Sequence, residues 1–495
     1  MDYLDYIQLN FFQRVAYKLK TFFIKIPTAL KAFFCAIGRG ISRFFMGIVD
    51  GFKNYGLRFA KGGIATKLSY LIMGAGNICN KQIGKGICYL VTEIAYFLYL
   101  FGFGLKWVKD LPTLGTQESG NIWDEVRQME VYVQGDNSML ILLYGVLTLI
   151  VSIIFFALYI SNTKSAYNAE CLVKAGKTPK SFKQDMQDLL DSKFHVTLLS
   201  LPTLLVCAFT VLPLIFMILI AFTNFDSYHQ AGLFDWVGFE NFRNIFYQNA
   251  KYVETFWTLT KWTLTWAVCA TFSNYILGMI VALMINKKGI KFKKVYRTMF
   301  VLAIAVPQFV TLLLMQQMLH KEGIINVILM DLGIIDQAIN FLGTAMGAKI
   351  SVIIVNMWIG IPYTILITSG ILMNIPEELY ESAKIDGASA FKTFTKITLP
   401  YMLFVTTPYL ITQFVGNINN FNLIYLLTGG NPKSNDLYKA GETDLLVTWL
   451  YKLTVNENDN NLAAAIGILV FIFCATISLI TYNMSKSAKN EEEFS

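Results

Sequence analysis

Charge is scarce in this chain. Aspartate, glutamate, lysine and arginine together make up 15% of its 495 residues, where a soluble domain carries about 25%. Histidine is rarer still. His195, His229 and His320 are the only three; they lie near the ends of apolar stretches and make no cluster, and a metal site needs several ligands together. The seven cysteines (Cys35, Cys79, Cys88, Cys171, Cys207, Cys269, Cys474) have no metal spacing. Cys207, Cys269 and Cys474 fall inside apolar runs, where a thiol is a small hydrophobic group. From residue 196 onward the apolar runs contain no carboxylate, so the buried acid on which a proton-coupled carrier depends is missing. Glu93 is the one acid inside such a run, in a marginal stretch. AGKTPK at 175–180 imitates the end of a phosphate-binding loop, but Cys171 stands where that motif needs its first glycine, and no apolar strand precedes it. The sequence therefore predicts no metal site, no cofactor of its own and no catalytic residues.

What the chain does have is apolar length. Hydrophobic residues make up 55% of it and its mean hydropathy is +0.49. A membrane span needs about 20 mostly apolar residues. Eight stretches qualify: 86–108, 138–160, 196–222, 262–286, 298–319, 350–373, 402–427 and 462–484. The first is the weakest, and 68–78 is too short to span and fits the interface. Residues 1–60 hold nine Lys/Arg against three acids, loop 109–137 holds two against six, and loop 287–297 carries six bases and no acid. Loops 223–257 and 428–461 are net acidic. Cytoplasmic loops collect Lys and Arg, so both termini are expected in the cytoplasm. The formal charge of +8 is accounted for by those loops and does not call for nucleic acid. In the first 60 residues aromatics and bases alternate at helical spacing. That pattern is basic and amphipathic, not the basic-then-apolar order of a signal peptide. It reads as a helix on anionic lipid, or as a solvated basic leader.

Polar residues inside spans mark pathways by default. In the sixth span Asn356, Ile359, Gly360 and Tyr363 follow i, i+3/i+4, i+7 and share one helix face. In the seventh, Gln413, Gly416, Asn417 and Asn420 repeat the spacing. Amides, a glycine gap and an aromatic, with no fixed charge, suit a neutral sugar. Interhelical hydrogen bonding is the bland alternative for such amides.

Between the sixth and seventh spans runs IPEELYESAKIDGASAFKTFTKITLP, 375–400. Pro376 opens a short helix over 376–386, Gly387 turns the chain, a second helix covers 388–398, and Pro400 restarts the chain. The pattern Glu381, Ser382, Ala383, then Gly387, then Ile397, Leu399, Pro400 resembles the cytoplasmic motif of ABC importer permeases, with Ser382 in place of an alanine. VPQFV at 306–310, NMWIGIPY at 356–363, NNFNLIYLLTGGNP at 419–432, AGETDLLVTWLYKL at 440–453 and NLAAAIGIL at 461–469 resemble the large permease subunit of maltose-type importers. The likeness covers roughly 196–485.

The resemblance implies an all-α polytopic membrane protein with a type I ABC importer permease core. Its parts are a basic N-terminal segment (1–85), accessory membrane helices and linker (86–195), the core (196–485) with a coupling segment at 375–398, and a tail (486–495). It implies that Glu381, Ser382, Ala383, Asp386, Gly387, Ile397, Leu399 and Pro400 serve coupling to an ATPase dimer, which binds ATP and Mg. It implies a second permease subunit and a sugar-binding protein as partners, in the cell membrane with its lipid. It also assigns Asn356, Ile359, Gly360, Tyr363, Asn417 and Asn420 to the sugar site. Gln413 stands where the relative has serine and Gly416 where it has phenylalanine, which opens the site to a maltodextrin-like oligosaccharide longer than maltose or to one that is not maltose-like. The Gram-negative maltose subunit carries a large external domain. Loops 109–137 and 223–257 are too short for one, which points to a Gram-positive relative with a lipid-anchored binding protein. Two rivals are a permease for another uncharged solute and, more remotely, an ion-coupled sugar carrier, which would need a coupling-ion site and internal repeats.

Overall fold

The computed structural model describes residues 35, 38–40, 42–43 and 46–484, apart from 125–127, 230–231 and 288. Residues 1–34 of the basic N-terminal segment and the tail 486–495 lie outside the described residues. Two compact units emerge, with a boundary at Asn241 and Phe242.

The first unit holds a helix over 46–61, short helices Ile64–Leu68 and Ala75–Cys79, and long helices Ile83–Asp110, Ser138–Lys174 and Phe194–Ile220. The stretch too short to span is a folded strap. Its backbone groups are met by side chains from the long helices, as buried polar groups require. Glu170 accepts from Gly63 N–H (2.8 Å) and from the Thr66 hydroxyl. Asn162 accepts from Gly74 N–H (2.9 Å) and donates to the Ser69 carbonyl (3.1 Å). Glu93 accepts from Met73 N–H (2.8 Å), so the lone acid of the first span serves the strap. Gly74 is needed there. Its φ is +84°, and a Cβ would lie 2.0 Å from the Gly86 carbonyl oxygen. Tyr96 stacks on Phe155 at 3.8 Å.

Loop 109–137 contains an antiparallel hairpin, β1 (Gly120–Asp124) and β2 (Met129–Val133), with Trp123 opposite Glu130. Ser138 Oγ donates to the Leu114 carbonyl (2.6 Å) and accepts from Phe234 N–H (3.0 Å), so this loop and the one before Asn241 meet.

In the second unit the helix Ala250–Asn286 packs most extensively on Ala345–Leu372. Trp262, Trp266, Leu312, Val352, Leu423, Ile424 and Leu427 form its core. The connection after Leu427 is anchored by buried Asp444, which takes Gly441 N–H (2.7 Å) and Lys452 Nζ (2.6 Å).

Among the described residues six helices are long and apolar enough to cross a membrane, or seven with one bent pair. The sequence reading of eight straight spans is corrected at two places. The stretch 298–319 is two helices, Lys293–Ala305 and Gln308–Met318, bent by 87°. Pro307 lacks an N–H and pushes Val306 into extended backbone (φ −73°, ψ 125°). The stretch 402–427 is also two helices, Leu399–Ile418 and Phe421–Leu427, broken at Asn419 and Asn420. Pro408, Gln413 and Asn417 make the longer one less apolar than the six spans.

The Asp136 carboxylate accepts from Thr116 N–H (2.9 Å) and Gln117 N–H (3.1 Å), and these bonds hold its pKa below the usual carboxylate range. A lowered folded-state pKa gives stabilisation that is complete above the ordinary value of about 3.9 and is lost as the pH falls through the lowered one. Hydrogen exchange at the Thr116 and Gln117 amides is therefore expected to be slow at neutral pH. Relative to the intrinsic rate, it should accelerate only below the ordinary carboxylate value of about 3.9, as the pH falls through the lowered one. The Asp136→Ala protein should lack protection at both amides across the whole range.

Candidate functional site

In the second unit a cavity of about 420 Å³ opens between the helices Ala250–Asn286, Ala345–Leu372, Leu399–Ile418 and the bend at Val306. That size suits a small ligand. Seven of the eight residues proposed from sequence line it: Asn356, Ile359, Gly360, Tyr363, Gln413, Asn417 and Asn420. Gly416 does not. It sits at the edge of the same helix face, and a Cβ there would meet nothing within 4 Å.

Among the described residues no aspartate, glutamate, lysine, arginine or histidine lines the cavity. Its polarity comes from amides, threonines and tyrosine hydroxyls. Among the described residues that line the cavity, two buried amide atoms have no hydrogen-bond partner, the acceptor Asn274 Oδ1 and the donor Asn356 Nδ2. Leaving such an atom unpaired costs about 1–3 kcal/mol, and both belong to residues that line the cavity. Other amides are engaged. Asn417 Nδ2 donates to Thr271 Oγ1 (2.9 Å) and its backbone carbonyl accepts from Trp266 Nε1 (3.0 Å), so Asn417 also ties two helices. Asn420 Oδ1 accepts from Leu423 N–H (3.3 Å) and caps the helix Phe421–Leu427.

Sequence reasoning missed Asn274, Trp358, Gln308 and Tyr409, all of which line the cavity. For Asn274 the signal was present. Thr271, Asn274, Tyr275 and Gly278 repeat the i, i+3/i+4, i+7 stripe seen in the other two helices. Gly360 explains how Asn274 is seated. A Cβ at 360 would lie 2.1 Å from Asn274 Nδ2, so the amide occupies the space a larger residue would fill.

The segment 375–398 lies at the Lys-rich end of this unit. Pro376 precedes the helix Glu377–Ile385, and Gly387 turns with φ +69°. The second helix does not stop at Pro400. From Ala390 it runs through a wide π turn, Phe394–Thr398, into Leu399–Ile418. The wide turn ends two residues before Pro400, which has no N–H to give and whose ring crowds an ordinary preceding turn. Within the motif Ala383 is buried, Ile397 and Leu399 are half-buried, and Glu381, Ser382, Asp386, Gly387 and Pro400 are exposed. Tyr380 OH and Thr398 Oγ1 hold the two helices together at 3.0 Å. Ile385 is 86% exposed and Phe391 66%, an apolar tip of the kind that marks an interaction surface.

Residues 274–490, which contain most of the cavity and all of the segment 375–398, match the sequence profile of the family described as binding-protein-dependent transport system inner membrane component. The galactooligosaccharides transport system permease protein of Bacillus subtilis (strain 168) is 36% identical over 432 residues, 86% of this chain and 99% of that protein. The chain belongs to this family of ABC transporter permeases. A second relative of this permease is the maltodextrin transport system permease protein of the same organism, 35% identical over 433 residues, 85% of this chain and 95% of that one. A solved structure of a bacterial alginate ABC transporter, in complex with alginate pentasaccharide-bound periplasmic protein, includes a chain with the same fold. The TM-score is 0.50 at 23% identity, covering 62% of this permease and 96% of that chain. As a family of transporters, these relatives are not enzymes.

Gly360→Ala is expected to displace the Asn274 amide while leaving the helix intact, since alanine favours helix. Asn274→Leu should have the same functional effect. Both variants should reach the membrane at wild-type level and transport at least several-fold more slowly. Normal transport by both would remove Asn274 from the site.

Proposed function

We propose that this permease moves a neutral oligosaccharide, of maltodextrin or galactooligosaccharide kind, into the cell by alternating access. The observation that carries this is the uncharged cavity with its unpaired buried acceptor and donor, Asn274 Oδ1 and Asn356 Nδ2. A sugar hydroxyl both donates and accepts, so it satisfies either atom without bringing charge into a membrane helix bundle. Tyr363 and Trp358, 48% and 63% exposed, offer flat faces to the apolar side of a sugar ring. The names of the two Bacillus permeases support the substrate class.

The rest of the machine lies in partner chains. A second permease subunit completes the pathway. An ATPase dimer, which binds ATP and Mg, receives the tip at Ile385 and Phe391. A lipid-anchored extracellular binding protein delivers the sugar, in keeping with outer loops too short to form a domain. Both termini lie in the cytoplasm, as the Lys-rich loop 287–297 requires. The transported sugar biases a hinged bundle between two states, and nucleotide binding biases the same states from the other end. Gly416, where the maltose relative has an aromatic, favours a longer substrate.

Four substitutions separate these statements. Asn356→Leu and Tyr363→Ala should each impair uptake while assembly with the ATPase survives. The first removes hydrogen bonds worth about 0.5–1.5 kcal/mol each and sets an apolar group against sugar hydroxyls. If both transport normally, the cavity is not the sugar site. Gly387→Pro should abolish sugar-stimulated ATP hydrolysis, because proline fixes φ near −65° and cannot adopt the +69° of this turn. Normal coupled hydrolysis in that variant would dismiss the coupling role. Gly416→Phe should shift uptake toward shorter oligosaccharides. An unchanged length profile would contradict the wider site.

A further inference from the structure

A second uncharged hollow of about 440 Å³ lies in the same unit, lined among others by Gln316, Gln317, His320, Asn340, Thr428 and Asn431. Among the described residues no aspartate, glutamate, lysine or arginine lines it. Among the described residues no hydrogen bond within the chain engages the side-chain amides of Gln316, Gln317 or Asn340.

Its position relates it to the central cavity. Two helices run between them. In Gln308–Met318, Gln308 and Thr311 face the cavity and Gln316 and Gln317 face the hollow. Along Phe421–Leu427, Asn420 faces the cavity and Thr428 the hollow. At 1.5 Å per residue the step from Asn420 to Thr428 is about 12 Å. Between the two polar ends Leu312, Leu423, Ile424 and Leu427 are fully buried. Each helix thus reads polar, apolar, polar, and a sugar cannot rest on the apolar middle while the helices are packed.

We propose that the hollow is a second saccharide subsite, on the outer side of the apolar contact, for the hydroxyl groups of a neutral oligosaccharide. This rests on the reading of the cavity as the sugar site and of this end as external. Amides and an imidazole offer donors and acceptors together, which hydroxyls match and a charged solute does not. The hollow is open to solvent, so each contact is weak. Its effect depends on length. Once the leading end of a sugar is held, contact by the trailing end becomes intramolecular and adds to the first only if the sugar is long enough to reach.

The test is uptake by the complete transporter, with its partners, in proteoliposomes, using labelled neutral oligosaccharides from disaccharide to heptasaccharide. In Gln316→Leu/Gln317→Leu the half-saturating concentration for the longest sugars should rise about tenfold, the effect of one or two lost hydrogen bonds, while disaccharide uptake stays at wild-type level. Asn340→Ala, which adds no apolar bulk, should move in the same direction. Equal loss at every length, or no change at any length, overturns the subsite. Weakened co-purification with the binding protein or the second permease also overturns it and assigns the hollow to a protein contact. Asn356→Leu serves as the control for the cavity. If it abolishes uptake at all lengths and the glutamine pair changes nothing, only the second subsite fails. If the wild-type transporter carries no neutral sugar, the oligosaccharide reading fails and the subsite with it.

Discussion

Apolar solvent leaves a backbone no partner but itself or its own side chains. The second unit is arranged around the places where that requirement is hardest to meet. The chain leaves helical geometry at Val306–Pro307 and again at Asn419–Asn420. Both breaks border the 420 Å³ cavity. A break facing lipid would strand carbonyl and amide groups. A break facing a polar cavity can be met by caps such as Asn420 and by whatever occupies the space. Proline and asparagine, poor choices for a plain span, are therefore concentrated where the cavity opens.

The two glycines that face the neighbouring helix do related work. Gly360 leaves room for the Asn274 amide, and Gly278 leaves room for Thr364, whose Cβ would lie 2.6 Å from a Cβ at 278. Small residues at a membrane helix interface let backbones approach closely. Here that closeness brings amides from three helices to one space. The Trp266–Asn417 and Asn417–Thr271 bonds fix the third helix against the first. Asn417 thus holds the wall of the site as well as lining it, which makes its removal hard to interpret and makes Asn356 the cleaner probe.

The first unit obeys the same rule with different means. Glu170, Asn162 and Glu93 reach from long helices to a strap of two short ones and supply the partners its turns lack. An acid inside an apolar run suggests ion coupling when read alone. With Met73 N–H at 2.8 Å, Glu93 serves structure.

The sequence by itself determined the class of the protein and which residues of the sixth and seventh spans share a face. Apolar run length, the basic loop 287–297 and the motif from Glu381 to Pro400 are local features, and they survive without tertiary context because each depends on residues a few positions apart. The stripes of the sixth and seventh spans were legible for the same reason, since helical periodicity fixes which residues share a face. Tertiary structure decided the rest. Whether a run such as 298–319 crosses straight or bends by 87° depends on what neighbours offer the freed backbone, which periodicity does not encode. That Asn274 joins the site while Gly416 stays at its edge depends on how closely two helices approach and at what rotation. That Asn417 is spent on Thr271 while Asn356 Nδ2 is left unpaired depends on partners more than eighty residues away. Polar residues in a span announce a requirement for hydrogen bonds, and only the packed structure shows which are met within the chain and which are not.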